Sequence, residues 1–478
     1  MTKNILLVRP PARLSIDFGG SFRKDYGGHE LELGLLYIAS FLEKQGMRVS
    51  FIDMALHNDA EQRLVDALQH TNFDFIGMTA YTNSIITANR IAGLIRQYSK
   101  AKIIVGGAHA SALPVETLEM FKNFDYLIYG EGERSFTDLV IGIDVPDIRG
   151  LVWREAGAVI QNPLHEPIED LDSLPFPARH LVDVGRYIPI PSNYYQLPST
   201  GILSSRGCPY QCTYCGRAGS RFKNRVKFRS IANVIEEIKS CIRDFGIHDF
   251  RFYDDVLTAP KERIMEFCEK LLHEDIKITW NCYARVDTVD KEMLLAMRKA
   301  GCRNIKYGVD FGTQKWHTQA KKYTTLEQAE EAINSTKKIG IAAKASFMIG
   351  MPGETVDEIK KTINFALKLN PTYTTFNIFT PLPGSQLFDE AKRNKTLLSY
   401  DYDEYFNKKG KILKDQLDLP ILEKSIKEAY RKVYFNPRFF MHRIMHLMKN
   451  PCLPEIKMLF EGFAVIIKNK FFISLGKP

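Results

Sequence analysis

The chain of 478 residues contains no apolar segment long enough to cross a bilayer. A membrane-spanning helix needs about 20 consecutive apolar residues, and charged or polar residues interrupt every apolar run here well before that length. The opening residues, MTKNILLVRP, lack the long apolar stretch and the small-residue cleavage site of a secretory signal. We therefore expect a cytoplasmic protein.

Cysteine is scarce, with eight residues in the chain and none before position 208. This usage excludes a disulfide framework and favours a reducing compartment. Three cysteines fall within eight positions, a clustering typical of a metal site: Cys208, Cys212 and Cys215. The other five stand singly, and we expect them to be buried apolar residues: Cys241, Cys268, Cys282, Cys302 and Cys452.

Charge is close to balanced except at the C-terminal end. The formal net charge is +9, and residues 421–478 hold eleven Lys or Arg against four Glu, a net +7. Helices that pack on the core with a solvated basic rim are the simplest interpretation. Peripheral contact with the inner face of a membrane, or a collar for a lipophilic substrate, is the alternative. No RNA-binding appendage is visible, so we expect no nucleic-acid partner.

Alternating strand and helix patterns predict an α/β protein with two sheets. The first predicts five strands of a doubly wound parallel sheet of Rossmann or flavodoxin type. The second predicts a partial (β/α)6 barrel of TIM type, in which ligands gather at the C-terminal ends of the strands. A small helical region follows. The expected boundaries are 1–147 for the first domain, 148–197 for a connector that contains a hairpin, 198–415 for the barrel and 416–478 for the helical region.

The three clustered cysteines have the spacing C-x3-C-x2-C in RGCPYQCTYCG, residues 206–216. Three thiolates on one loop can ligate three irons of a 4Fe–4S cluster and leave the fourth iron open. A zinc site would want a fourth Cys or His, but the next cysteine, Cys241, falls in a predicted helix. A redox pair would need only C-x-x-C. We therefore predict a cluster held by these three cysteines.

With Tyr214 directly before the last cysteine, this loop resembles the signature of the radical S-adenosylmethionine (SAM) superfamily. The resemblance implies that SAM chelates the open iron. One electron from a low-potential donor, such as flavodoxin or ferredoxin, would then cleave SAM to a 5′-deoxyadenosyl radical. Tyr214 would lie near the adenine.

The same resemblance implies further SAM contacts at the ends of the barrel strands. The acidic pair Asp254 and Asp255 would meet the methionine amine, and Arg285 would pair with its carboxylate. Asp310 would bind the ribose, although relatives commonly have Glu followed by Ser at GVDFG. The segment FMIGMPGE would line the adenine through Phe347, Gly350 and Glu354. A helix cap or a simple turn is the alternative role for each of these residues.

The first sheet is expected to bind its own ligand at the C-terminal edge of its strands. Three loops meet there: TAYTNS, GGAHAS and GEGERS. Glycines let a planar ligand or a nucleotide tail approach the backbone, and hydroxyls supply hydrogen bonds. A flavodoxin-like or nucleotide-binding domain would look similar. The candidate ligand contacts are Thr79, Tyr81, Thr82, Gly106, Gly107, His109, Gly130, Glu131 and Glu133.

Over nearly its whole length the chain is similar to the cobalamin-dependent radical SAM enzymes, also through LGLLYIASFLEKQG and LPFPARH. This resemblance implies cobalamin in the first domain, with a domain that holds no cofactor as the alternative. Domains that supply a histidine to cobalt carry D-x-H-x-x-G. Here Asp53 and His57 are four apart without the matching glycine, so we expect base-off cobalamin without a histidine ligand.

The leading functional hypothesis is a cobalamin-dependent radical SAM methyltransferase that acts on an unactivated carbon of an apolar small molecule. A non-methylating rearrangement or ring closure, as in tetrapyrrole cyclases, is the second hypothesis. A corrinoid-binding protein without turnover is the third. The methylthiotransferases carry three extra N-terminal cysteines, and the absence of any cysteine before Cys208 argues against that class.

Overall fold

A computed structural model describes residues 2–11, 28–216, 225–402, 405, 411–452 and 456. It contains two parallel sheets flanked by helices, followed by two C-terminal helices. The predicted α/β class and the order of its parts are therefore confirmed.

The first sheet has seven strands in the order β2-β1-β3-β4-β5-β6-β7. The first five run parallel. The centres of β1, β3, β4 and β5 are fully buried because helices cover both faces, which is why these strands read as continuous apolar runs. The edge strand β2 is only partly buried. The strands are β1 Asn4–Arg9, β2 Arg48–Asp53, β3 Phe75–Thr79, β4 Lys102–Gly106, β5 Tyr126–Ile128, β6 Leu151–Glu155 and β7 Ala158–Gln161.

Two strands of this sheet come from the predicted connector hairpin. The pair β6–β7 is antiparallel, and β6 adds antiparallel to β5. The sheet therefore has seven strands instead of the five that were predicted. The physical reason is that β5 would otherwise leave an unpaired edge, which the hairpin satisfies.

The second sheet has six parallel strands in the order β15-β14-β13-β12-β11-β8, as predicted for a partial barrel. A separate two-stranded ladder, β9–β10, lies beside the cysteine loop. The strands are β8 Ser199–Ile202, β9 Ser205–Arg206, β10 Lys227–Phe228, β11 Asp249–Phe252, β12 Thr279–Ala284, β13 Cys302–Asp310, β14 Ala342–Ile349 and β15 Tyr373–Ile378.

Strand β13 shows how the barrel divides its side chains between two faces. Ile305, Tyr307 and Val309 are fully buried in the main core, and the Tyr307 hydroxyl lies 2.8 Å from Thr336 Oγ1 on the surrounding helix layer. Because successive side chains of a strand point to opposite faces, Lys306 and Gly308 face the inside of the barrel. That inner face is the one available to a ligand.

Capping residues mark the starts of several helices. Thr325 and Thr355 each form a capping box at a helix start, which satisfies amide donors that have no partner within the helix. The helices of the first domain are α1 Leu33–Lys44, α2 Ala60–His70, α3 Ile85–Tyr98, α4 Ala108–Ala112, α5 Pro114–Met120 and α6 Gly132–Ile141. Those of the barrel are α7 Ile231–Phe245, α8 Lys261–His273, α9 Lys291–Lys299, α10 Gln314–Gln319, α11 Leu326–Ile339, α12 Val356–Leu369 and α13 Gln386–Arg393.

The first two helices of the basic tail are α14 Leu419–Tyr434 and α15 Pro437–Lys449. The α14 helix covers the barrel edge: the Tyr434 hydroxyl donates to Thr374 O at 2.9 Å, and the Phe376 amide donates to the Tyr430 hydroxyl at 3.1 Å. These aromatic residues thus pack on β15, as the simplest interpretation predicted. Apart from residue 456, the part of the predicted helical region beyond residue 452 lies outside the described residues. None of the described helices is long and apolar enough to cross a membrane.

Candidate functional site

The cysteine loop leaves the barrel at the C-terminal end of its first strand. Cys208, Cys212 and Cys215 are half-buried free thiols. The loop is held by hydrogen bonds from the Cys215 amide to Cys212 O at 3.1 Å and from the Thr213 amide to Ala320 O at 3.0 Å. Burial raises the pKa of Cys208 to about 11. A bound metal would favour the thiolate form of Cys208.

The donor set suits a cluster more than a single ion. Among the residues that the structure describes, no three His, Cys, Asp or Glu side chains converge on one metal ion. Three thiolates that each bind a different iron of a cubane need no such convergence. The three sulfurs of this loop therefore fit a 4Fe–4S cluster.

Arg285 lies directly beside the loop, as predicted. Its Nη1 is 4.0 Å from Cys212 Sγ, and its guanidinium lies 3.6 Å from the centre of the Tyr210 ring. Two hydrogen bonds to Asp287, at 2.9 and 2.8 Å, fix the fork. Another donates to Lys322 O at 2.8 Å. The result is a fixed positive charge at the cluster site, where a ligand carboxylate would be attracted.

The two predicted acidic residues point to different places. Asp254 is buried and accepts hydrogen bonds from the Ser204 amide at 3.1 Å, from Ser204 Oγ at 2.7 Å and from Ser205 Oγ. This carboxylate thus braces the chain that leads into the cysteine loop. Asp255 is half-buried, and its charge contributes to raising the pKa of Cys208. Of the pair, Asp255 faces the loop.

Asp310 closes β13 and is tied to the cysteine loop. Its Oδ2 accepts a hydrogen bond from the Tyr214 hydroxyl at 2.6 Å and pairs with the ammonium of Lys322. The residue has a left-handed backbone with φ of 70°, at a register shift between β13 and β14. Burial raises the pKa of Tyr214, so the phenol keeps its proton and remains a donor. Tyr214 also packs edge-on against Phe311.

Lys322 is a site residue that the sequence did not reveal. It is buried, and its Nζ also donates to Gly308 O at 2.7 Å. It follows α10 in a segment without a motif, so only the folded chain brings it to Asp310. A lysine between two residues of positive φ, Lys321 and Tyr323, is the one unusual feature there.

The FMIGMPGE segment requires a correction. The Phe347 side chain is fully buried on the outer face of β14, where it stacks on Phe376 at 5.3 Å. Strand alternation therefore turns it away from the barrel interior, and it cannot line a SAM site with its ring. The Glu354 carboxylate accepts the amides of Gly350 and Met351 and closes the turn. Burial raises the pKa of Glu354 to about 7.

A cavity of about 260 Å³ lies on one face of the first sheet, bounded by α1 and α6. Six of the nine predicted ligand contacts line it: Thr79, Gly106, Gly107, Gly130, Glu131 and Glu133. Glycine keeps it open, because a Cβ atom at Gly77 would lie 2.5 Å from the Phe136 ring and one at Gly107 2.7 Å from Thr79 Oγ1. Such a cradle fits a planar group between sheet and helices. Gly77, a glycine inside an apolar strand, was the signal for it that the sequence offered.

Three predicted contacts lie outside the cavity lining. Tyr81 is partly exposed and donates to Glu32 Oε1 at 3.0 Å, and Thr82 Oγ1 lies 3.2 Å from His109 Nδ1. His109 itself is 1% exposed and packs against Tyr402 with ring centres 4.4 Å apart. Burial lowers the pKa of His109 to about 4. His109 therefore lies in the core outside the cavity lining, and its contact with a ligand stays a prediction.

The Asp53 and His57 side chains are engaged with the protein. Asp53 is buried and pairs with Arg9 at 3.0 Å. The His57 ring lies 3.3 Å from the Arg186 guanidinium, which together with burial lowers the pKa of the imidazole. Both side chains of the incomplete D-x-H-x-x-G motif thus contact arginines of the protein.

Arg206 connects the cavity to the cysteine loop, and the sequence did not single it out. It stands two residues before Cys208 and lines the cavity. Its guanidinium donates to Glu131 at 2.7 Å and to Glu133 at 2.6 Å, with all three side chains largely buried. The two candidate cofactor sites therefore share one ion-pair network.

Two family profiles match the chain over these parts. The Radical SAM superfamily profile matches residues 202–366, which contain the cysteine loop and most of the barrel. The B12 binding domain profile matches residues 23–140, which contain the cavity. The chain is a B12-binding radical SAM enzyme. Its cofactors are a 4Fe–4S cluster, SAM and cobalamin.

Relatives of this radical SAM enzyme share most of its length. An uncharacterized methyltransferase of Pyrococcus horikoshii is 28% identical over 470 residues, 97% of this chain and 96% of the relative. The anaerobic magnesium-protoporphyrin IX monomethyl ester cyclase of Rubrivivax gelatinosus is 27% identical over 420 residues, 85% of this chain and 74% of the relative.

A solved structure supports the fold. The radical SAM methyltransferase TsrM from Kitasatospora setae, with cobalamin and a [4Fe-4S] cluster bound, matches with a TM-score of 0.67 and 20% identity. The match covers 83% of this chain and 76% of that one. At this identity the likeness establishes the shared architecture of the two domains.

Proposed function

We propose that this radical SAM enzyme methylates an unactivated carbon of a small molecule. The observation that carries the proposal is the position of Arg206, which lines the cobalamin cavity and lies two residues before Cys208. A methyl source and a radical source must both reach one substrate carbon, and a shared wall between their sites brings them together.

The cofactors supply chemistry that amino-acid side chains lack. A C–H bond without acidity has no acid–base route at neutral pH, whereas SAM on the cluster supplies a 5′-deoxyadenosyl radical and cobalamin supplies a methyl group. The protein holds and orients: Arg285 gives a fixed positive charge beside Cys212, and the pair Asp310–Tyr214 offers a fixed polar group opposite it. Cleavage also requires a low-potential electron donor, such as flavodoxin or ferredoxin.

Ring closure without methyl transfer is the second candidate, and a cyclase among the relatives favours it. Both reactions use the same radical source. Anaerobic incubation of the reconstituted enzyme with methyl-labelled SAM, a reductant and cell extract distinguishes them. Label in a new product supports methylation. Release of 5′-deoxyadenosine with an unlabelled product supports ring closure and contradicts methylation, and no 5′-deoxyadenosine contradicts both.

The substrate is proposed to enter the barrel from the end that carries the cysteine loop. An apolar collar formed by the tail would have favoured a wholly lipophilic substrate. Two tail aromatics, Tyr430 and Tyr434, instead form hydrogen bonds with the backbone of β15. The side chains that line the barrel are therefore a better indication of the substrate class than the tail is. Peripheral membrane contact through the tail has no support from the described helices.

A further inference from the structure

A row of polar side chains crosses the inside of the barrel. It lies below the SAM level, by which we mean the C-terminal strand ends that carry Arg285 and Asp310. The strand register places Tyr283 opposite Lys306, Lys306 opposite Lys344, and Lys344 opposite Tyr373. Arg251 on β11 joins the row through a hydrogen bond to the Tyr283 hydroxyl. Three cations thus face the interior of one barrel.

Two of the three cations are already bonded within the protein. Arg251 pairs with Glu30, whose carboxylate also accepts from the Tyr253 hydroxyl. Lys344 donates to Asn193 Oδ1 at 2.6 Å and to Ser192 O, in the short helix Pro191–Asn193 that closes the barrel floor. These two cations line the base of the interior and are held in place.

The floor carries one more carboxyl group. Asp249, two residues before Arg251, is buried and accepts hydrogen bonds from the Tyr195 amide at 3.0 Å and from Thr279 Oγ1. Burial raises the pKa of Asp249 to about 7. With Glu30 it is outnumbered by the three cations, so the interior has a positive balance even when both carboxyls are ionised.

Lys306 differs from the other two cations because no hydrogen-bond acceptor holds its ammonium among the described residues. Its Nζ lies 5.2 Å from the centre of the Tyr283 ring. In the part of the chain that the structure describes, it forms no ion pair with a carboxylate. A half-buried ammonium is costly unless an anion accompanies it, and a cation–π contact offsets only about 1 kcal/mol of this cost.

The inner face above Lys306 carries small, partly exposed residues. The next inward positions on β13 and β14 are Gly308 and Ser346, paired in register. A Cβ atom at Gly308 would come within 3.2 Å of Lys322 Nζ and 3.5 Å of the Asp310 carboxylate, so a larger residue would crowd the SAM level. Asp310 stands four residues beyond Lys306, about 13 Å along the strand. A ligand that reaches from the lysine to the radical source would therefore have to span this distance.

We propose that Lys306, supported by Arg251, binds an anionic group of the substrate, a carboxylate or a phosphate, inside the barrel. The reacting carbon then lies at the opposite end, towards the cluster and the cobalamin cavity. The proposal rests on the proposed function in one respect, because it takes the anionic molecule bound at Lys306 to be the substrate of the radical reaction. The expected substrate is then amphipathic, whereas the sequence alone had suggested an apolar one.

Binding of inorganic phosphate and of acetate to the reconstituted enzyme tests the proposal without turnover. With SAM omitted and the cluster reduced, the paramagnetic cluster speeds the ³¹P relaxation of phosphate and the ¹³C relaxation of acetate that bind within the barrel. We expect saturable enhancement for at least one of the two anions. The anion that saturates at the lower concentration identifies the class of substrate group.

Three variants locate the binding. Lys306→Met should weaken anion binding roughly tenfold to a hundredfold, the range for loss of a charged hydrogen bond. Lys306→Arg should retain it. Glu30→Gln should strengthen it, because it removes the carboxylate that competes for Arg251. The matched control is Lys338→Met, the same change at an exposed position of α11, which should leave binding unaltered.

Several outcomes would overturn the proposal. It is wrong if neither anion saturates in the wild-type enzyme, or if Lys306→Met and Lys338→Met bind equally. Should Lys306→Met fail to fold, Glu30→Gln still decides, since unaltered or weaker binding contradicts the proposal. Methyl-label transfer is measured separately. Anion binding without labelled product would contradict methylation and support the anion site. Labelled product without anion binding would support methylation and contradict the anion site.

Discussion

Arg206 donates through Nη2 to Glu133 Oε1 at 2.6 Å, and this contact joins the cluster loop to the cobalamin domain. The Glu133 side chain is 5% exposed, and a second bond from Nη1 reaches Glu131 at 2.7 Å. Two buried carboxylates are neutralised by one guanidinium whose backbone leads directly into Cys208. Movement of either domain against the other would break this network, so we infer that it sets their relative position.

Replacing Arg206 with Met should therefore destabilise the protein and uncouple its two cofactors. Removing one partner of a buried ion pair costs about 3–5 kcal/mol, because the remaining carboxylates stay buried without a counter-charge. Methyl transfer should decrease more than SAM cleavage does. Denaturant unfolding measures the first effect, and the ratio of labelled product to 5′-deoxyadenosine measures the second.

The matched control for Arg206 is Arg63→Met. Arg63 pairs with Asp59 at 3.0 Å, but both side chains are more than half exposed. Such a surface pair contributes less than about 1 kcal/mol. Equal destabilisation by the two substitutions, or an unaltered product ratio in the Arg206 variant, would contradict the coupling role.

Cys212→Ala should abolish SAM cleavage, because two thiolates cannot hold the cluster with one open iron. The measurements are iron content after anaerobic reconstitution and 5′-deoxyadenosine under reductant. Cys268→Ala is the control, since Cys268 is a buried core residue away from the loop. Cleavage by the Cys212 variant at the wild-type rate would refute the cluster assignment.

Lys322→Met should weaken SAM binding roughly tenfold to a hundredfold, since a charged hydrogen bond contributes about 1.5–3 kcal/mol. The substitution leaves the Asp310 carboxylate held only by Tyr214, so its orientation towards the ligand is lost. Tyr214→Phe removes one neutral donor and should have a smaller effect. Calorimetric titration with SAM checks the order. Unaltered SAM affinity of the Lys322 variant would show that this lysine acts only on stability.

Glu354 should make stability fall with rising pH. Its ordinary pKa is 4.5 and burial raises it to about 7 in the folded protein. The folded state therefore holds a proton that the unfolded chain releases, and this contribution is lost as pH rises from about 4.5 through 7. Relative to Glu354→Gln, the wild type should lose about 3 kcal/mol across that window. A parallel pH dependence of unfolding for both proteins would exclude this role. The control is Asp357→Asn, an exposed change three residues away in the first turn of α12.

The sequence by itself determined the architecture and the cluster. Continuous apolar strands indicated a covered parallel sheet, and the spacing of Cys208, Cys212 and Cys215 specified three iron ligands, because both signals are local along the chain. The glycine loops likewise identified six residues of the cavity lining, since only glycine leaves the room that a buried ligand needs.

Tertiary structure alone decided which charges meet. Arg206 reaches Glu133 across 73 positions, and no local pattern marks either residue as a partner of the other. The orientation of single side chains was decided in the same way: packing turned Phe347 into the core and buried His109 against Tyr402, which motif matching could not reveal. That Lys306 lacks a carboxylate partner among the described residues could be recognised only from the assembled six-stranded sheet. The reason is that the free-energy cost of a charge depends on its surroundings.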